Sequence, residues 1–464
     1  MTAGLRVLAV RPSPAPQTIR MDRAMCSEPL ELEYLYTVLT DPARGPVHTV
    51  TLWDDLVERG DPVEAARRAE AQVVLFTAHI TNVPTVLAWA ARVKALPTAP
   101  RIFVGGVHAE VLPEHFYDPA VDGVLFADAL EGIARLLARL ACGEPWVDLP
   151  GCAFPTPTGW RKNAGPFLDP TALPVPKRPL LERQPERYRM LYLPRCASVK
   201  TAFGCPARCT FCFCTEMHGG AYGPRPVEAV ADEIAALPVD NVFLVDDNLL
   251  TTPERALALA GALRARRVHK RLIAYGTADF VARHPEALEA LRDAGLEALI
   301  VGFEFVTDED LAEVRKRATA ADNLACIATC RRLDVEVIAL FVVDPAWHHR
   351  DFWRLARWIV RQGLCFATFS TLTALPGTAI ARGQPLPTAR DLWRYDLLRL
   401  HQRPAHMAAL TFYLWLFALY LLPGMRLRTG LTLLRRYGLL GGLRFAAQSA
   451  WTGLEYLVRL WRWP

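Results

Sequence analysis

The chain has 464 residues, enough for two or three domains, and 52% of them are apolar. A net charge of +5 gives no case for nucleic acid as a partner. No segment reaches the roughly 18 uninterrupted apolar residues of a membrane span, and eleven cysteines without a leader-like N-terminus point to a reducing, cytoplasmic setting.

Residues 1–145 alternate strand and helix. Apolar runs at Leu5–Val10, Val47–Trp53, Val73–Thr77, Arg101–Gly106 and Gly123–Phe126 read as strands. Helical spacing falls between them, at Glu28–Leu39, Pro62–Ala71, Val83–Leu96 and Leu130–Ala141. This α/β alternation predicts a doubly wound, Rossmann-like parallel sheet. Ligands on such a sheet bind beyond the carboxyl ends of the strands. Thr77 and His79 follow one strand, and Gly105, Gly106 and His108 follow the next. A G-x-G-x-x-G turn is absent, which argues against a nicotinamide site.

Residues 146–195 contain ten prolines, too many for a long helix or a central strand. They are expected to run over the surface as a connector. Alternation resumes over 196–385, with strands at Ala197–Phe203, Asn241–Asn248, Arg271–Tyr275, Ala298–Glu304, Val335–Val343 and Phe366–Leu372. Such repeats predict a partial (β/α)6 barrel with its chemistry at the strand ends. Residues 386–464 read as a helical tail. An apolar run at Ala408–Leu422 precedes a segment, 423–464, with seven arginines and one acid, a net +6 that leaves the remaining chain at −1. Arginine with Trp451, Trp461 and Trp463 on amphipathic helices suits peripheral contact with a lipid surface through 408–464. A helical cap with a basic solvent face is the other reading.

The loop Cys205-Pro-Ala-Arg-Cys209-Thr-Phe-Cys212 follows the first barrel strand. Three thiolates on one short loop can hold three irons of a cubane cluster and leave the fourth iron open, unlike four-cysteine ferredoxin sites. The alternative is a zinc site completed by Cys214 or His218. The spacing C-x3-C-x-aromatic-C resembles the signature of the radical S-adenosylmethionine superfamily. That resemblance implies a 4Fe–4S cluster on Cys205, Cys209 and Cys212. It also implies S-adenosylmethionine chelated to the open iron, with Phe211 near its adenine. Two further strand ends resemble the family's cofactor turns: Asp246-Asp247-Asn248, and Gly302-Phe303-Glu304, where the glutamate approaches S-adenosylmethionine. A glutamate closing an apolar strand is costly to bury unless it is paired.

The first domain resembles the cobalamin-binding domain that precedes many such barrels, on Glu28-Pro-Leu with Tyr34-Leu35 and on Gly105-Gly-Val-His-Ala-Glu-Val-Leu-Pro-Glu114. The resemblance implies cobalamin contacted by Thr77, Gly105, Gly106 and His108, with no axial histidine from a D-x-H-x-x-G motif. A degenerate, empty sheet is the alternative. Together these resemblances imply a cobalamin-dependent C-methyltransferase, fed by an external flavodoxin- or ferredoxin-type donor and acting on a small hydrophobic substrate. A polycyclic lipid or a tetrapyrrole would fit. A non-methylating tetrapyrrole-type cyclase and a non-catalytic cobalamin or redox carrier remain alternatives.

Overall fold

The computed structural model describes residues 4–20 and 25–424, and in the tail 429–431, 434–435, 438–439, 442–443, 447, 451, 453–454, 456–458 and 460. Five parallel strands lie side by side in the order Thr49–Asp54, Arg6–Arg11, Val73–Thr77, Arg101–Gly105, Gly123–Leu125. Their continuous apolar sequences reflect burial on both faces: Val7–Val10 and Val73–Phe76 are buried throughout. Strand order reverses between Arg6–Arg11 and Val73–Thr77, which opens a crevice at their carboxyl ends. Helices flank the sheet and begin where the sequence supplies caps. Asp61 accepts from the Val63 and Glu64 amides, and Asp128 from that of Glu131. Residues 152–163, expected as surface connector, instead form an antiparallel hairpin on the edge of this sheet. Pro155 is tolerated because its strand lies near the edge.

The second sheet has six parallel strands in chain order: Cys196–Val199, Asn241–Leu244, Arg271–Gly276, Leu296–Glu304, Glu336–Val343 and Phe366–Thr371. The first and last are not neighbours, so the barrel is partial. The expected strand Ala197–Phe203 divides in two. Thr201 and Ala202 turn to Asp246, and Ala202–Phe203 pairs instead with Gly223–Pro224. Outer helices bury one stripe each. Helix His349–Gln362 buries Phe352, Leu355 and Ile359, each contributing roughly 1.5–3 kcal/mol.

The two sheets are joined by a buried ionic chain. Arg178 of the connector donates to both oxygens of Glu28, at 2.7 and 2.6 Å, and to Glu233 at 2.5 Å. Glu233 also accepts from Arg225 at 2.7 Å, and Glu28 from the Ser198 amide at 2.8 Å. All four charged side chains are at most 5% exposed.

The apolar run of the tail forms helix Ala409–Gly424. Phe412, Leu416 and Leu419 are buried, whereas Leu410, Leu414 and Leu421 are 71%, 59% and 45% exposed. No helix among the described residues is long and apolar enough to cross a membrane. Arg435 and Trp451 are exposed. The other tail arginines, Glu455, Trp461 and Trp463 lie outside the described residues.

Candidate active site

The carboxyl ends of both sheets face a common cavity of about 430 Å³, within the range of cofactor pockets. Arg11, Thr77 and Gly105 reach it from the first sheet, and Ser198, Lys200 and Val245 from the barrel side. Leu75, Leu125 and Ile133 supply apolar wall.

Gly105 and Gly106 serve different ends. A Cβ built on Gly105 meets nothing nearer than the Leu125 carbonyl oxygen, 3.7 Å away. One on Gly106 would stand 2.7 Å from the Ala78 nitrogen, and its φ of +97° suits only glycine. Gly106 is therefore demanded by the fold itself, where the Ala78 and Gly105 loops are stitched together: Ala78 N donates to Gly105 O at 2.8 Å, and His108 N to Ala78 O at 3.0 Å. His108 corrects the expectation. It does not line the cavity; its ring is buried against His115, Nε2 to Nδ1 at 2.8 Å. Burial, then His115, pushes it down to about 3. His79 does line the cavity.

Glu31, Tyr34 and His218 also line the cavity, and each has one buried polar atom without a hydrogen-bond partner among the described residues. Buried groups are rarely left so unless a ligand completes them. An apolar wall with polar residues such as Thr77 and Ser198 at its border fits a large ring whose rim bears hydrogen-bonding groups, as cobalamin does.

The cysteine loop is clamped on several sides. The Thr210 amide donates to Val314 O at 3.0 Å, the Ile380 amide to Thr210 O at 3.1 Å, and Arg317 to Pro206 O at 2.8 Å. Asp247 accepts from the Gly204 amide at 2.9 Å, from Lys200 at 3.2 Å and from the Cys214 thiol at 3.4 Å. Cys214 therefore has hydrogen-bonding work beyond filling space. Its hydrogen bond holds the Cys212 thiol below its ordinary value, while burial pushes Cys209 up to about 11. Binding to iron would remove that proton. Asp246 corrects a second expectation. Its oxygens are taken by the Thr201 amide at 2.6 Å, the Thr201 hydroxyl at 2.5 Å and the Ala202 amide at 3.1 Å. A buried carboxylate so engaged shapes the loop after the first barrel strand.

Glu304 closes its strand with φ +59°, a strained value for a non-glycine residue, and pairs with Lys316 at 2.8 Å. A Cβ on Gly302 would fall 2.2 Å from Glu304 Oε1, so the glycine makes room for this pair. Burial works to lower the Lys316 pKa; Glu304 and then Cys209 outweigh it, and the ammonium is raised on balance. A cation thus stands beside the cysteine loop. Phe211 packs against Phe305, Leu311, Val314 and Val342.

Among the described residues no group of three or more His, Cys, Asp or Glu is gathered around one point that could hold a metal ion. A single zinc needs its donors within about 2.3 Å of one centre, whereas the thiolates of a cubane each take a different iron. Of the would-be fourth zinc ligands, Cys214 gives its thiol to Asp247, and the His218 ring nitrogen Nδ1 lies 3.5 Å from a Glu110 oxygen. Three clamped thiols beside Lys316 fit the cluster. The sequence reading passed over Lys200 and Lys316, whose partners Asp247 and Glu304 lie 47 and 12 residues away.

Fold and cavity together set a doubly wound sheet against a partial barrel across one cavity. The B12 binding domain family matches residues 18–137, and the Radical SAM superfamily matches residues 199–359. No curated protein matches the chain. Among solved structures it is similar to the radical S-adenosylmethionine methyltransferase TsrM from Kitasatospora setae with cobalamin and 4Fe–4S cluster bound. That likeness has 17% identity and a TM-score of 0.72, and covers 98% of this chain and 99% of that one. It is also similar to the cobalamin-dependent S-adenosylmethionine radical enzyme OxsB with aqua-cobalamin and S-adenosylmethionine bound, at 14% identity and a TM-score of 0.65, covering 85% of this chain and 55% of that one. These two likenesses are of fold. The chain thus joins a B12 binding domain to a Radical SAM superfamily domain, in a fold shared with these two structures.

Proposed function

We propose that the protein is a C-methyltransferase for an unactivated carbon of a hydrophobic substrate, a polycyclic lipid or a tetrapyrrole. The observation that carries this reading is the single cavity shared by the carboxyl ends of both sheets. When bound, the reduced cluster supplies the electron that splits S-adenosylmethionine, and cobalamin supplies the methyl group. Cys205, Cys209 and Cys212 hold the cluster. Asp247 fixes the approach to Cys205 through the Gly204 amide, and Glu304 with Lys316 sets the charge beside the loop. Gly105 and Thr77 border the corrin.

The hydrophobic acceptor is supported by the exposed leucines of helix Ala409–Gly424 with the net +6 segment beyond it. Each arginine near an anionic surface adds about 1 kcal/mol of attraction. Retention on anionic vesicles that weakens with salt supports the lipid-surface reading; its absence at low salt favours a packed cap and weakens the case for a lipid acceptor.

The deciding experiment uses anaerobically reconstituted protein, a chemical or flavodoxin-type reductant and methyl-deuterated S-adenosylmethionine, with lipid and tetrapyrrole acceptors. Expected are 5′-deoxyadenosine and a product heavier by one labelled methyl group. A product with no added carbon identifies a cyclase, and no consumption of S-adenosylmethionine identifies a carrier.

A further inference from the structure

Helix His349–Gln362 lies on the outside of the barrel and is laid out in stripes. Phe352, Leu355 and Ile359 face the core. Arg350, Arg354, Arg357 and Arg361 fall at i, i+4, i+7 and i+11, which stacks them on one face. All four are exposed. One acid, Asp351, stands in the same helix, 3.0 Å from Arg354. Trp353 and Val360 border the row and are 55% and 40% exposed. Like charges at i, i+4 weaken a helix, so this row works against the element that carries it.

Helix Ala409–Gly424 packs along the same edge. Trp415 donates its ring N–H to His349 Nδ1 at 2.8 Å. It also stacks on Phe352 and meets Trp353 edge-on, each with ring centroids 5.3 Å apart. This second helix carries no charged side chain. Its exposed Leu410, Leu414 and Leu421 share the face opposite the buried Phe412, Leu416 and Leu419. Trp353 therefore stands between a row of arginines and a row of leucines. Cations for the phosphates, an indole at the boundary and leucines for the acyl edge make up an interfacial surface. A second copy of this face brings no acid except Asp351 to meet the arginines. An anionic bilayer complements both rows at once.

We propose that helices His349–Gln362 and Ala409–Gly424 together form the face with which the protein lies on an anionic lipid bilayer. The arginine row meets the phosphates, and Trp353 with the leucines meets the acyl boundary. The inference rests on the lipid-surface reading above and carries the contact from the tail onto the barrel itself. Helix His349–Gln362 connects strands Glu336–Val343 and Phe366–Thr371, so the last two barrel strands are the ones held against the bilayer.

The test is co-sedimentation of the full-length protein with mixed phosphatidylglycerol and phosphatidylcholine vesicles, and with phosphatidylcholine alone. Wild-type protein should bind the anionic vesicles and release them as salt rises. The combined change Arg350→Gln, Arg354→Gln, Arg357→Gln and Arg361→Gln should weaken that binding at least about tenfold at low salt. Its thermal melting and reconstituted iron content should stay at the wild-type level. Lysine at the same four positions should restore most of the binding, because the attraction is to charge. Leu410→Ser with Leu414→Ser should weaken binding while keeping the wild-type salt dependence. If the four-glutamine variant binds anionic vesicles like the wild type, this inference is overturned and the tail reading stands. If wild-type protein ignores them at low salt, both fall. If wild-type protein dimerises without vesicles and the leucine changes dissolve the dimer, the face belongs to a second copy and the inference is likewise overturned. Failure of the methyl-transfer reading is read separately, from the labelled product.

Discussion

At the barrel edge, Asp247, Lys200, Cys214, Glu304 and Lys316 are paired with one another or with the cysteine loop. Across the cavity, the first sheet and its helices present the apolar side chains Leu75, Leu125 and Ile133. One edge is complete in itself and positions a few reactive sulfurs. The other is a shaped, largely apolar wall. Substitutions should therefore be all-or-none at the first and graded at the second.

The largest expected effect tests the first half of that contrast. Replacing Cys205, Cys209 and Cys212 together with alanine should abolish the iron and sulfide bound after anaerobic reconstitution, while cobalamin is still retained on gel filtration. Cys214→Ala should keep the iron, since its thiol serves Asp247 and Cys212 from outside. Iron that survives the triple change would break the comparison at its root.

The next effect concerns what joins the edges. Glu233→Ala leaves Arg178 and Arg225 buried with one partner fewer. Stripping one member of a buried ionic group costs about 3–5 kcal/mol, to be read as a fall in unfolding free energy by denaturant titration. A loss under about 1 kcal/mol, the usual worth of exposed pairs, would show that the chain of charges does not hold the halves together.

On the graded side, Gly105→Val should fold, because its Cβ meets no close neighbour, yet it should weaken cobalamin binding about tenfold by filling the cavity rim. Unaltered binding would remove the argument for this turn.

The smallest effect is pH-dependent. His108 is held at about 3, well under the usual 6.5, so below pH 6.5 the unfolded chain takes up a proton that the folded one refuses. Stability is therefore lost as pH falls between those values, by about 2 kcal/mol at pH 5. Melting curves of wild type and His108→Phe should show a gap that shrinks or reverses toward the variant on acidification. Parallel curves would remove His108 as the cause.

Much of this architecture could be read from the chain because its signals are local. Parallel strands buried on both faces announce themselves as apolar runs, and the cysteine spacing carries its own chemistry. The misreadings share a cause. Asp246 ends a strand like a cofactor ligand, but its oxygens are claimed by Thr201, 45 residues earlier. His108 follows the glycine pair like a contact residue but pairs with His115. In the same way Lys316 becomes significant only once Glu304 turns back at positive φ. His218 gains its meaning from Glu110, 108 positions away. Partner choice across the chain is a tertiary property with no periodic trace.

The chain of charges from Glu28 through Arg178 and Glu233 to Arg225 has a bearing on modularity. Its members come from the first domain, the connector and the barrel, so the two halves are not interchangeable parts. A chimera that grafts a foreign corrinoid domain onto this barrel should inherit buried arginines without their carboxylate. Residues 28, 178, 225 and 233 would have to be transplanted as a set, and a graft cut within the proline-rich stretch would separate Arg178 from one partner or the other.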